Sequence, residues 1–535
     1  KGFLLQFASH YIVKMVLFPL LQVFSYIETH HRLNWLPSLL FRREPEIVFD
    51  APHRLNPGLN LPAFMFIKDA NRFPIHLKKI TAAIGLLDVH RIFFLEFAPE
   101  TESLNDKFYL QKFEIPLPDE YYGKVSLNFK LDYISDGKEK FALNDNIPYL
   151  QHTPYMVNIS DSPLPLAEGW IAGDAHFHSS FTDDEVEYGA PVETVPLIGK
   201  AAGLSFAFLL DHSYDLDPRN PFTEPGSFER QHGDAAKATD AAFAVVKGEE
   251  LSAINKAGKT VHAGLVNPSR FRQGYRDSGR IMSKEGDTLL SELETVEENE
   301  LLFAAHPGFK PVLLEKLLLN RGGWSNQDID SVRVIQLING YTNAEFFRNR
   351  KLWIDALLRG RTVFVVAGND AHGDYSKTRK IGVPLFTSNE NMTHVFGVNR
   401  TLVPSAVNAD SIIRAIKSGR GVVSNGPFLM LQAMQSGTIF ETGRKIKGAA
   451  VLKIDVLSTK EFGSIQTVRL YSGIIGSLRE NVLKEWHFTG DTLSSELTID
   501  VEPSELTYVR AEVYTDKKRD SGMIFAATNP IWMDI

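Results

Sequence analysis

The chain has 535 residues, too many for one compact core, so roughly two to four domains are expected. It contains no cysteine, which excludes disulfides, thiolate metal sites, iron–sulfur clusters and cysteine nucleophiles. A formal net charge of -8, with no long Lys/Arg run to offset it, argues against nucleic acid as a partner.

Residues 1–44 read as an apolar N-terminal helical segment. Between Lys1 and Glu28 the one fixed charge is Lys14, and residues 15–24 are almost wholly apolar. The stretch approaches the ~20 residues of a membrane span, but Lys14 and Pro19 count against one. A span, a helix lying on a membrane or a partner subunit through residues 1–40, and a helix packed on its own domain all stand as readings. Membrane-associated, exported and cytoplasmic locations therefore stay open, since absence of cysteine fits each of them.

Residues 45–163 alternate short strand-like runs, such as Phe64-Met65-Phe66-Ile67 and Val125-Ser126-Leu127-Asn128-Phe129, with Asn, Asp, Gly and Pro. That texture predicts an Ig-like β-sandwich. The Asp161-Ser162-Pro163-Leu164-Pro165 stretch reads as a linker.

Over 164–404 apolar runs at 205–210, 242–246, 301–305, 332–338 and 362–367 alternate with helix-like stretches at 287–298 and 343–358. Continuous apolar strands between helices imply a parallel sheet covered on the outside, and the number of units favours a barrel over an open sheet. Residues 405–449 form a helix (409–417) and loop extension of it, and 450–535 are again strand-like, predicting a second β-sandwich.

Polar residues recur where the apolar runs end. Asp174, His176 and His178 follow Trp170-Ile171-Ala172-Gly173, and Asp211-His212 ends the run at 206–210. Glu249 and Glu250, His262, His306, and Asp370 with His372 sit in equivalent places. In a parallel barrel the C-terminal strand ends converge on one face. The spacing His176-x-His178 puts both imidazoles on one side of a strand, and Asp370-x-His372 repeats it. Imidazole and carboxylate donors without thiolate suit Zn, Mn or Fe. The other ten of the 16 histidines lie outside this pattern and read as ordinary structural residues. No G-x-S-x-G, H-E-x-x-H, P-loop or G-x-G-x-x-G motif competes.

Asp174-Ala175-His176-Phe177-His178-Ser179 with Asp183, then Leu210-Asp211-His212, Gly248-Glu249-Glu250, Ala305-His306-Pro307 and Gly368-Asn369-Asp370-Ala371-His372, resemble the ordered motifs of the PHP (polymerase and histidinol phosphatase) domain. Ser424-Asn425-Gly426-Pro427 and Phe525-Ala526-Ala527-Thr528-Asn529-Pro530-Ile531-Trp532 are similar to the C-terminal region of its CehA/McbA-type metallohydrolases. The resemblance implies a distorted (β/α)7 barrel, TIM-like, with β-sandwiches on either side and two or three divalent ions. It implies that His176, His178 and Asp370 hold one ion, with Glu250 bridging to a second held by His262 and His306. Asp183, His212 and His372 would hold a third; many PHP enzymes have His at the position of Asp183, which leaves that ion the least secure.

Hydrolysis by a metal-bound hydroxide is the activity implied, on a small-molecule phosphoester or a related ester. Lys310, Lys377 and Arg379 follow ligand-bearing loops and are candidates to meet an anionic group, or solvated surface. Asp211 is a candidate to orient His212, or a cap of the next turn. The rival reading is a catalytically silent subunit of a larger, membrane-associated assembly. Substrate, metal identity and oligomeric state stay open.

Overall fold

The computed structural model describes residues 44–118, 121–147, 152–182, 189–218, 225–274, 288–293, 296–311, 313–318, 320–340, 342–379, 390–519 and 522–535. The N-terminal segment up to residue 43 and the candidate ligand Asp183 lie outside them. No helix among the described residues is long and apolar enough to cross a membrane.

Glu46–Asp50, Leu61–Lys68 and Phe108–Ile115 form an antiparallel layer. Facing it is a seven-stranded sheet centred on Ile75–Leu86 and Gly123–Ser135. In Gly123–Ser135 the buried residues Val125, Leu127, Phe129, Leu131 and Tyr133 alternate with mostly polar ones, so one face turns inward. Across the layers Phe49 and Phe129 stack with ring centroids 4.7 Å apart.

The expected distorted (β/α)7 barrel is not what the strands form. Trp170–His178 pairs in parallel with Phe206–Leu209, which pairs in parallel with Ala244–Val246. On its other side Trp170–His178 pairs antiparallel with Arg400–Pro404. That ladder continues through Val422–Ser424, Gly522–Thr528, Thr507–Arg519, Ile465–Ile474 and Asn481–His487 as one 12-stranded sheet. Gly248–Ile254, Thr260–Val266, Leu301–Ala304, Val334–Asn339 and Phe364–Gly368 make a second sheet whose first two pairings are antiparallel.

Local chemistry explains the reversal. A parallel crossover needs about a dozen residues or more. Gly248–Ile254 and Thr260–Val266 are instead joined by a tight turn, in which the Asn255 side chain accepts from Ala257 N and Lys259 N and Gly258 has φ 70°. Helical cover is also thin. Among the described residues Thr194–Ala202, Ser227–Ala238, Ala344–Leu358 and Ala409–Lys417 are the helices of nine residues or more. Ala344–Leu358 starts where predicted, its first turn capped by Asn343, whereas among the described residues of 287–298 the helical ones are the four of a 3-10 turn, Leu290–Leu293.

The C-terminal strands are continuous with the strand that carries His176 and His178, because the long sheet runs through both. A four-stranded sheet of Thr438–Glu441, Phe428–Gln435, Ala450–Leu457 and Ser494–Val501 packs against that sheet's distal part through Leu431, Leu452, Ile454, Val468 and Val513.

Candidate metal centre

His176 and His178 project from one face of Trp170–His178, while Phe177 between them goes into the core against Tyr375 and Phe396. Parallel pairing of Phe177 with Ala371 and of His178 with His372 brings the Asp370 loop alongside. His212 forms a bridge to Glu250 at the meeting of the two sheets, His262 lies in the second sheet, and His306 follows that sheet's Leu301–Ala304 strand by two residues. Asp370 (φ 52°) and His306 (φ 30°) hold a left-handed backbone that costs on the order of 1 kcal/mol or more each.

Three overlapping groups have donor atoms within 4.8 Å of one another: His176, His178, Glu250 and Asp370; Glu250, His262 and His306; and His178, His212 and His372. Eight of the nine residues expected as ligands are thus gathered, Asp183 lying outside the described residues. Glu250 Oε1 stands 2.8 Å from both His262 Nδ1 and His306 Nε2, and its Oε2 is 3.4 Å from His212 Nε2. It spans the groups. Glu249 turns away, accepting from Arg272 N at 3.0 Å.

Hydrogen bonds fix which imidazole nitrogens face inward. The His306 backbone N–H donates to Gln336 Oε1 at 3.1 Å, and Gln336 Nε2 donates to Ile338 O at 3.3 Å, so the amide orientation is set. His176 Nδ1, 3.0 Å from Gln336 Oε1, therefore carries the proton. Thr182 Oγ1 donates to Asp211 at 2.9 Å and accepts from His178 Nδ1 at 3.2 Å. Both Nε2 atoms are thus bare, yet they lie 3.1 Å apart. Asp370 Oδ1 is 3.4 and 3.0 Å from them.

Acceptors converge here with no donor between them, an arrangement that is repulsive until a cation enters. The spacings match the edges of a coordination polyhedron, about 3.3 Å for a tetrahedral ion with ligands at ~2.0–2.1 Å. The donor set fits divalent cations.

The charge states differ between the two halves of the cluster. Burial raises the Glu250 and Asp370 carboxyls, but the surrounding histidines outweigh it and hold both well below the usual range. Burial lowers His176 to about 4 and His212 well below its ordinary value. At His306 burial is overcome by the hydrogen bond and charge of Glu250, which push it up to about 9, so its Nε2 donates to Glu250 and a cation bound there would have to displace that proton. Asp370 and His372, with side chains 20% and 16% exposed against 0% for His176 and His178, mark the side open to solvent.

The other candidates lie elsewhere. Asp211 does not bond His212: it accepts from Ser179 N and Oγ, Thr182 N and Oγ1, and Gln231 Nε2. The residues beside His212 Nδ1 are Tyr214, at 2.7 Å, and Asp215, at 3.3 Å. Lys310 is exposed beyond the His306 turn. Lys377 and Arg379 are buried rather than facing a substrate. Lys377 donates to Thr153 O at 2.5 Å, and Arg379 is 3.1 Å from both Asp50 and Asp374. Asp50 also accepts from Tyr375 N and Ser376 Oγ, so the first sheet layer grips the loop after His372.

Gln336, Asn339, Thr182 and Asp50 were not read from the sequence. Two of them had a signal, since Gln336 and Asn339 are amides in the otherwise apolar Val334–Asn339 strand.

No family model matches the chain, and no curated protein matches it. Among solved structures it aligns with a β-glucuronidase of Bacteroides uniformis at 11% identity, over 91% of this chain and 61% of that one, with a TM-score of 0.15. A glycosyl hydrolase family 2 member from Bacteroides cellulosilyticus DSM 14838 aligns at 11% identity, over 90% and 62%, with a TM-score of 0.17. A Parabacteroides merdae β-glucuronidase aligns at 9% identity, over 91% and 64%, with a TM-score of 0.16. The chain spans less than two thirds of the length of each, and at such TM-scores the likeness carries no argument about fold or chemistry.

Proposed function

We propose that the chain is a metal-dependent hydrolase acting on phosphoesters or related esters, with a ligand set similar to that of PHP proteins of the CehA/McbA-type group. One observation carries the reading: the bare Nε2 atoms of His176 and His178 converge with the Asp370 carboxylate without a donor among them, and this part of the cluster opens to solvent at Asp370 and His372. Divalent cations bound there supply Lewis acidity and lower the pKa of coordinated water to ~7.

The chain's own residues do the rest. Glu250 and Asp370 remain ionised, Glu250 in a buried place where its charge acts undiluted by water and Asp370 on the open side. Thr182 and Gln336 hold His178 and His176 with Nε2 inward. Phe303 backs the site with apolar surface, its ring 6.4 Å from that of His176, so an ester is met from the Asp370 and His372 side.

Metal analysis of the purified chain, followed by a screen of phosphomonoesters, phosphodiesters and carboxyl esters, tests this. Turnover of one class that His176→Ala abolishes is the expected result. A fully loaded protein that turns over none of them would leave a structural metal centre and sink the hydrolase reading.

A further inference from the structure

Val334–Asn339 is buried throughout, yet it contains two amides, Gln336 with no exposure and Asn339 with 7%. Each buried amide needs partners. Gln336 Oε1 takes the Nδ1 proton of His176 at 3.0 Å, and Gln336 Nε2 donates to Asn339 Oδ1 at 3.1 Å. Asn339 Nδ2 then donates to Asp370 Oδ2 at 3.2 Å. The bonds run head to tail from one member of the His176, His178, Glu250 and Asp370 group to another. They leave Asp370 Oδ1 as the oxygen that faces the Nε2 atoms of His176 and His178.

We infer that Gln336 and Asn339 are positioning residues that make the His176–Asp370 half of the centre a single unit: they fix the Nε2-facing tautomer of His176 and choose which oxygen of Asp370 is presented. The same Gln336 oxygen accepts from the His306 backbone, so it also ties this half to the group containing His262 and His306. Accepting the Nδ1 proton raises the basicity of Nε2. The inference rests on the metal-centre reading above.

Gln336→Met and Asn339→Leu are compared with the unaltered full chain by chelator competition for Zn2+ and by the absorption spectrum of the Co2+-loaded protein. Gln336→Met is expected to weaken Zn2+ binding roughly 10- to 100-fold and to change the Co2+ bands, and Asn339→Leu to weaken it less. The double variant is expected to lose less than the product of the two single losses, because both act through one chain of bonds. The melting temperature of each chelator-treated variant reports any general loss of fold. Should Gln336→Met not fold, Asn339→Leu, whose removal leaves the His306 and His176 contacts in place, carries the test through the Co2+ spectrum. Wild-type affinity and spectrum in the variants would overturn the inference while leaving the metal centre standing. If the unaltered chain takes up no Zn2+, the metal reading itself falls.

Discussion

His178 stands where two groups of donor atoms overlap, with its Nε2 3.0 Å from Asp370 Oδ1 and its ring 4.0 Å from that of His372. His262, by contrast, belongs to one group. His178→Ala should therefore lower the number of ions bound per chain more than His262→Ala. Elemental analysis after dialysis against limiting Zn2+ or Mn2+ measures this, and equal losses would contradict the overlap.

With acceptors this crowded, a cation bound as proposed would add to the protein's stability. A ligand at 1,000 times its Kd stabilises the state it binds by about 4 kcal/mol. Stripping with a chelator should lower the melting temperature by several degrees, and adding back a divalent ion should restore it. In His176→Ala the restoration should be reduced. An identical recovery in that variant would mean that the cation acts at another place.

Asp50 lies in the first sheet layer but ends on the loop of a candidate ligand. It accepts from Tyr375 N at 3.1 Å and Ser376 Oγ at 2.9 Å, and pairs with the buried Arg379. Removing one partner of a buried ion pair costs about 3–5 kcal/mol. Asp50→Ala is expected to lower stability by that order in chemical denaturation and to reduce occupancy of the His178, His212 and His372 group. Unchanged metal content would limit Asp50 to a purely structural part.

Glu512 gives a pH dependence away from the centre. Burial opposes its ionisation, but Arg510 and Arg350, at 2.5 and 2.9 Å, outweigh it. The folded-state pKa falls from 4.5 to about 2. Because the shift is downward, the stabilisation is complete above pH 4.5 and fades as the pH falls toward 2, by up to about 3 kcal/mol. Glu512→Gln should be less stable at neutral pH and should lose less between those limits. A parallel pH curve for the variant would refute the assignment.

Local periodicity made much of the site legible and little of the topology. His176 and His178, like Asp370 and His372, declare a shared strand face because strand side chains alternate. The apolar runs predicted strands, but a buried apolar strand does not state its direction; the turn Asn255-Lys256-Ala257-Gly258 did, and it makes Glu250 and His262 neighbours across a hairpin. Lys377 and Arg379 read as anion-facing or solvated charges because Thr153 and Asp50, which bury them, lie more than 200 residues away in sequence. For Gln336 the obstacle was the same, its partner His176 being 160 residues distant.

The long sheet limits how the chain can be cut. A recombinant fragment covering 164–404 would keep every candidate ligand but would strip Arg400–Pro404 of its neighbour Val422–Ser424. Its bare hydrogen-bonding groups, on an apolar edge, would be a template for pairing between molecules. Such a fragment should precipitate, or assemble through that edge, even with its histidines intact. A workable piece therefore also needs Val422–Ser424 and the strands that follow it in the same sheet.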